Sequence, residues 1–246
     1  MIPLHDDNPT RRFPFVTVAI IAICVLVFLW QFSLPTPADA QFVYGLGFIP
    51  AVWFDGRTLP PEIAVVPTAM TAVTSMFLHG GFMHLIGNML YLWIFGNNVE
   101  DAMGHGRFIL FYLLSGIVAV GAHSLSDLDS TTPLIGASGA IAGVLGAYLL
   151  LHPKARVLVL IPLGIIFWTM RLPAVVVLLG WFGLQFLQVA MGGGGNVAWW
   201  AHIGGFVAGM AMIPIFKERG VMLFDRARPR GHSGIPMVSR RKGPWG

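Results

Sequence analysis

Gly136-Ala137-Ser138-Gly139 opens the apolar run Ser138–Leu151, and Ala201-His202-Ile203-Gly204-Gly205 opens a second, Ala201–Phe216. Each run begins with one proton-handling side chain and continues with residues that suit a lipid interior. The whole chain shares that bias: 56% of its 246 residues are hydrophobic and 11% are charged. A soluble domain carries about 25% charged residues, whereas the mean hydropathy here is +0.74. The chain is therefore expected to be an all-α integral membrane protein, because helices satisfy their own backbone groups away from water.

Working outward from those two runs, further apolar stretches lie at Phe15–Phe32, Phe82–Val99, Phe108–Ala122 and Leu172–Met191, giving six expected spans. Val157–Met170 is apolar too. It is broken by Pro162 and Gly164 and falls short of the roughly 20 residues that a span needs, so it reads as a re-entrant or interfacial piece. Fourteen of the fifteen Lys and Arg residues then fall on one side of the membrane, and Arg57 alone falls on the other. The outer segments Leu34–Met70, Ser124–Ala137 and Gly192–Trp200 carry Asp39, Asp55, Glu62, Asp127 and Asp129 instead. Short basic segments stay cytoplasmic, which puts both termini inside. Ala38-Asp39-Ala40 resembles a signal-peptidase site, but the apolar stretch before it exceeds the roughly 7–15 residues of a signal core and reads as a retained span. The lone Cys24 permits no intramolecular disulfide.

Spans two, four and six run in the same direction under this topology, so equal residue counts from their inner ends mean equal depth. Ser138 stands 16 residues before Lys154, His202 stands 15 before Lys217, and His84 stands 16 before Glu100. At 1.5 Å per residue all three lie about 22–24 Å from the inner charges, within a hydrocarbon core about 30 Å thick. Asn88 follows one turn after His84 on the same face. Polar groups at that depth are costly unless they meet one another or water, so His84, Asn88, Ser138 and His202 are expected to face one cavity. The pairs Gly139/Gly143 and Gly205/Gly209 would let spans four and six approach closely enough for Ser138 to reach His202.

Taken singly, these signals are weak. Gly231-His232-Ser233-Gly234 has the same pattern as the serine motif, in a polar tail without a scaffold. A serine among glycines also serves helix packing, and an intramembrane histidine also serves as a relay or a ligand. His79 and His84 are five apart and no HExxH occurs, so no zinc site and no other cofactor is expected. His79 is left between lining the cavity entrance and packing the outer loop. His123 caps the outer end of span three, while His5, His105, His152 and His232 are expected to be solvated at the inner side.

The stretches His79-Gly-Gly-Phe-Met-His84-Leu-Ile-Gly-Asn88, Gly136-Ala-Ser138-Gly139 and Ala201-His202-Ile-Gly-Gly205, in that order, resemble the rhomboid intramembrane serine proteases over about Phe15–Phe216. The resemblance implies a six-transmembrane-helix bundle with a long, partly membrane-embedded first outer loop. It implies Ser138 as nucleophile, His202 as general base, and His84, Asn88 and the Ser138 amide as the oxyanion hole. Its implied substrates are single-pass membrane proteins, cut in or near the outer end of their transmembrane helix after a small residue. No carboxylate lies at the shared depth, so a Ser–His dyad is expected, with Asp127 and Asp129 outside it. Two departures stand out. Ala142 occupies the position where some relatives stack an aromatic on the histidine, and the aromatic-rich Leu34–Met70 loop lacks a Trp-Arg pair.

The domain plan that follows is a cytoplasmic segment over 1–14, the protease domain over 15–216, and a basic, disordered cytoplasmic tail over 217–246, in a bacterial inner (plasma) membrane. Eight Lys or Arg residues in that tail suit anionic lipid headgroups rather than nucleic acid. The expected partners are thus the bilayer and transmembrane substrates, with no oligomeric state assigned. A catalytically silent binding protein would lack the Ser–His pair, and a small polar-relay transporter would show an internal repeat that the sequence lacks.

Overall fold

The computed structural model describes residues 1–164, 166–192 and 198–225. Helix α1 (Phe15–Ser33) is followed by three short helices in the first long connection, α2 (Thr36–Leu46), α3 (Pro50–Phe54) and α4 (Thr68–Thr74). Five longer helices follow: α5 (Phe82–Met103), α6 (His105–Ser124), α7 (Ser138–Leu151), α8 (Ala174–Ala190) and α9 (Trp199–Phe216). By length and composition α1, α6 and α9 are long and apolar enough to cross a membrane. The segments Thr68–Phe77 and Phe82–Met103 form a fourth candidate, bent by 84° at the break between them, and α7 and α8 are shorter apolar helices. Leu26, Phe32, Met83 and Ile215 stand exposed on these helices, as side chains facing lipid do.

Helix α7 is the axis of the bundle. Every residue from Gly139 to Leu149 is buried, and α5, α6, α8 and α9 all pack on it. The tightest seam joins α7 to α9. A Cβ at Gly205 would collide with the Gly139 carbonyl, one at Gly209 with the Gly143 backbone, and one at Gly146 with the Phe206 carbonyl. Only glycine lets the two backbones touch there, the small-residue packing that replaces hydrophobic drive inside a membrane. With 14 residues, α7 is about 21 Å long, shorter than a hydrocarbon core of about 30 Å.

The all-α expectation fails at one end of the bundle. Strand β1 (Ile2–Asp6) pairs antiparallel with β2 (Arg156–Leu163), which pairs antiparallel with β3 (Ile166–Pro173). The segment read as a re-entrant or interfacial piece is thus a β-hairpin, turning at Gly164 with φ +65°. Val157 and Val159 alternate inward and are fully buried, while Phe167 and Trp168 lie exposed. The β-branched Val157 and Val159 at period two suit a pleated sheet with one buried face, and β1 supplies the partner that a reading of the local segment could not include. The fifth expected span starts later than read, at Ala174, because Leu172 and Pro173 finish β3.

The same end carries most of the ion pairs among the described residues. Buried Glu100 of α5 accepts hydrogen bonds from the Val16 amide (2.9 Å), the Thr17 amide (2.8 Å) and the Thr17 hydroxyl (2.6 Å), capping α1 with a carboxylate where its dipole favours one. His105, expected to be solvated, meets Glu100 at 2.6 Å. Buried Asp6 of β1 accepts from the Tyr148 hydroxyl of α7 (2.6 Å) and the Asn98 amide of α5 (3.0 Å), and burial raises its carboxyl above the ordinary range. His152, also expected to be solvated, packs on Tyr148, and desolvation lowers it to about 4. The segment after α9 turns back onto the bundle: Arg12 pairs with Glu218 at 2.6 Å, and the Phe224 amide donates to the Leu150 carbonyl. Of the expected disordered tail, residues 226–246 lie outside the described residues.

The seam makes a stability prediction. Gly209→Val should lower the thermal midpoint in detergent, since overpacking against a rigid backbone costs about 1–3 kcal/mol. Gly121→Ala, where an added Cβ meets nothing within 4 Å, should hold the midpoint or raise it by up to about 1 kcal/mol of stability. Equal midpoints for the two variants would contradict the backbone contact.

Candidate active site

Ser138 is the first residue of α7, reached through Gly136, whose φ of +122° suits a residue without a side chain. The Gly136 amide donates to the Ser75 carbonyl at 2.9 Å, and a bridge between Phe48 and Leu134 holds the incoming strand of the loop. His202 lies in the first turn of α9 and is 9% exposed. Because Gly205, three residues after His202, sits against Gly139, the residue that follows Ser138, the two helix starts face each other. His202 Nε2 lies 2.8 Å from Ser138 Oγ. Its Nδ1 lies 2.7 Å from Gln185 Oε1 of α8.

His84 and Asn88 stand one turn apart on α5, and both approach Gly136. A Cβ on Gly136 would come within 2.7 Å of His84 Nε2 and Cε1 and 3.8 Å of Asn88 Nδ2, so the bare glycine makes room for both side chains. The Gly80 amide donates to His84 Nδ1 at 3.3 Å, which leaves the hydrogen of a neutral ring on Nε2, the atom facing Gly136. Buried Asn88 Nδ2 has no hydrogen-bond partner among the described residues. The first amides of α7 are free of intrahelical partners, as at any helix start. His84 Nε2 and the Asn88 amide thus both lie against Gly136, two residues before Ser138, and the positive end of the α7 dipole lies at Ser138.

None of the remaining candidates hydrogen-bonds to Ser138, His202 or His84 among the described residues. His79 is fully buried and packs edge-on to His84, ring centroids 5.3 Å apart, which places it in the interior and not at an entrance. His123 lies in the last turn of α6. Neither Asp127 nor Asp129 bonds to His202. Among the described residues no group of three or more His, Cys, Asp and Glu side chains is placed to hold a metal ion. His232 lies outside the described residues.

Gln185 is the contact the sequence reading missed. The signal was available, since an uncharged polar residue within the apolar stretch Leu172–Met191 deserves the same question as an intramembrane histidine. The aromatic absent at Ala142 is also supplied from elsewhere: Trp181 of α8 lies 5.7 Å from the His202 ring and Trp199 of α9 lies 6.1 Å from it. Ala142 itself is buried against Gly205, where an aromatic would not fit. A serine hydroxyl bonded to an imidazole at the first turn of a helix is an arrangement suited to acyl transfer.

Residues 67–219 match the family model of the Rhomboid domain. The chain is 33% identical over 124 residues to rhomboid protein 1, mitochondrial, of Saccharomyces cerevisiae, covering 48% of this chain and 36% of that protein. It is 37% identical over 137 residues to the rhomboid protease GluP of Bacillus subtilis, covering 56% of this chain and 24% of that one. It is 31% identical over 172 residues to RHOMBOID-like protein 1 of Arabidopsis thaliana, covering 69% of this chain and 40% of the relative. The match thus spans less than half the length of each of these three relatives.

Proposed function

Because the chain belongs to the rhomboid family of membrane proteins, we propose that it is an intramembrane serine endopeptidase in which Ser138 is the nucleophile and His202 the general base. The observation that carries the proposal is the 2.8 Å contact between His202 Nε2 and Ser138 Oγ at the heads of two glycine-packed helices. Ser138 Oγ attacks the scissile carbonyl carbon while its proton passes to His202 Nε2. The resulting oxyanion is held by the Ser138 amide, His84 Nε2–H and the Asn88 amide. On collapse His202 returns the proton to the leaving amine. Water, activated by the same imidazole, then hydrolyses the acyl-enzyme.

Six crossings, α1 and α5 to α9, form the proposed protease domain over residues 15–216, with α2 to α4 in a partly embedded first outer loop. The Lys and Arg distribution supports both termini on the cytoplasmic side. The proposed location is a bacterial inner (plasma) membrane, and the relatives come from a bacterium, a mitochondrion and a plant. A site sunk below the outer surface fits single-pass transmembrane substrates cut near the outer end of their helix, where the bond can unwind into a polar cavity.

Purified protein in vesicles should cleave a single-pass transmembrane reporter, and Ser138→Ala or His202→Ala should each abolish cleavage while leaving the fold intact. Cleavage retained by Ser138→Ala would overturn the assignment. Asn88→Ala tests the oxyanion role separately. Loss of one donor should lower kcat by about 10–10³-fold with little change in KM, since the donor acts mainly in the transition state. Unchanged turnover per titrated active site, with a lower melting temperature, would make Asn88 a packing residue.

A further inference from the structure

The burial of α8 runs against its composition. Past its first turns, Leu184, Phe186 and Leu187 face outward while polar Gln185 is 6% exposed. The inward face of the helix is set by Trp181 and Phe182, which share it with Gln185 at a spacing of one turn. Phe182 stacks on Phe206 of α9 with ring centroids 4.6 Å apart, and Trp181 lies tilted beside both Phe206 and His202. These contacts fix the height of α8 against α9, and with it the height of the Gln185 amide beside the His202 ring.

The amide has only one orientation that satisfies both of its neighbours. Gln185 Nε2 lies 3.1 Å from the Trp181 carbonyl, which can only accept, so the NH2 must face it. Oε1 is thereby turned to His202 Nδ1 at 2.7 Å. An amide oxygen cannot donate, so Nδ1 must carry the hydrogen. The neutral ring is then left with its lone pair on Nε2, the atom that meets Ser138 Oγ.

We propose that Gln185 is the positioning residue of the site: the Trp181 carbonyl orients its amide, and the amide holds His202 in the tautomer that presents Nε2 to Ser138 as a base. The proposal rests on the reading of Ser138 and His202 as nucleophile and base, and it answers what orients His202 where Ala142 offers no stacking ring. When Nε2 takes the serine proton, Nδ1–H keeps donating to Oε1, and no proton moves onto Gln185. A neutral amide thus does the orienting work of a third carboxylate without burying a negative charge at membrane depth, where ionised groups are costly.

Gln185→Met keeps the length of the side chain and removes the strong acceptor, while Gln185→Glu keeps an acceptor. Loss of tautomer control should cost Gln185→Met about 10–10³-fold in kcat with KM little changed, and Gln185→Glu should stay within about tenfold of the wild type. In the Ser138→Ala background, nitrogen-15 NMR of labelled histidine should show His202 protonated at Nδ1, and adding Gln185→Met should convert it to a tautomer mixture. An unchanged tautomer in Gln185→Met overturns the proposal, whether kcat is unchanged or falls together with thermal stability. Cleavage retained by Ser138→Ala would sink the dyad reading instead, and the histidine spectrum would still decide whether Gln185 sets the ring.

Discussion

The contact of the α7 and α9 backbones through Gly139, Gly143, Gly205 and Gly209 is the constraint on which the rest depends. Inside a membrane, apolar side chains gain nothing by leaving lipid for protein, so helices associate through close packing and polar contacts. Two helices that touch backbone to backbone also bring their first residues together, and here those residues are Ser138 and the turn bearing His202. Any side chain in the seam would part the serine from the imidazole. The bonding distance between them is a consequence of what the glycines lack.

Polar groups elsewhere are placed by the same arithmetic of burial. At the charged end, Glu100 gathers two α1 amides, the Thr17 hydroxyl and His105, and Asp6 gathers Tyr148 and Asn98, so neither buried carboxylate stands alone. Tyr148 and Ser138 lie on one helix, so α7 is tied by its far end to β1 and by its near half to α9. The groups that hydrogen-bond to His84, Ser138 and His202 are an amide N–H, a side-chain amide, a hydroxyl and an imidazole, none of them a carboxylate. That division suits a centre that must pass a proton without holding a permanent charge at depth.

How much of this was legible in the sequence depends on whether the information is local. The heads of α7 and α9 could be set at one depth because helical rise is constant, and counting residues from Lys154 and Lys217 turns sequence into height. The polar residues to be brought together were visible as exceptions in apolar runs. The hairpin Arg156–Pro173 was not legible, because its partner β1 lies about 150 residues earlier, and a short apolar run with Pro162 and Gly164 reads equally as an irregular membrane segment. The capping of α1 by Glu100 is non-local too, and a lone Glu near a helix end reads simply as an inner charge. Gln185 could have been singled out as a polar residue within a span, but its partner His202 is one fold contact away and not one motif away.

The proposed chemistry makes Ser138 a nucleophile activated by His202 within the membrane. The most direct measurement is the covalent product of a fluorophosphonate with the folded protein, located by peptide mass spectrometry and timed with and without the imidazole. A single phosphonyl adduct on Ser138 is expected in the wild type, with its near-complete loss in folded His202→Ala. An adduct on another residue, or equally fast labelling of Ser138 in His202→Ala, would contradict it.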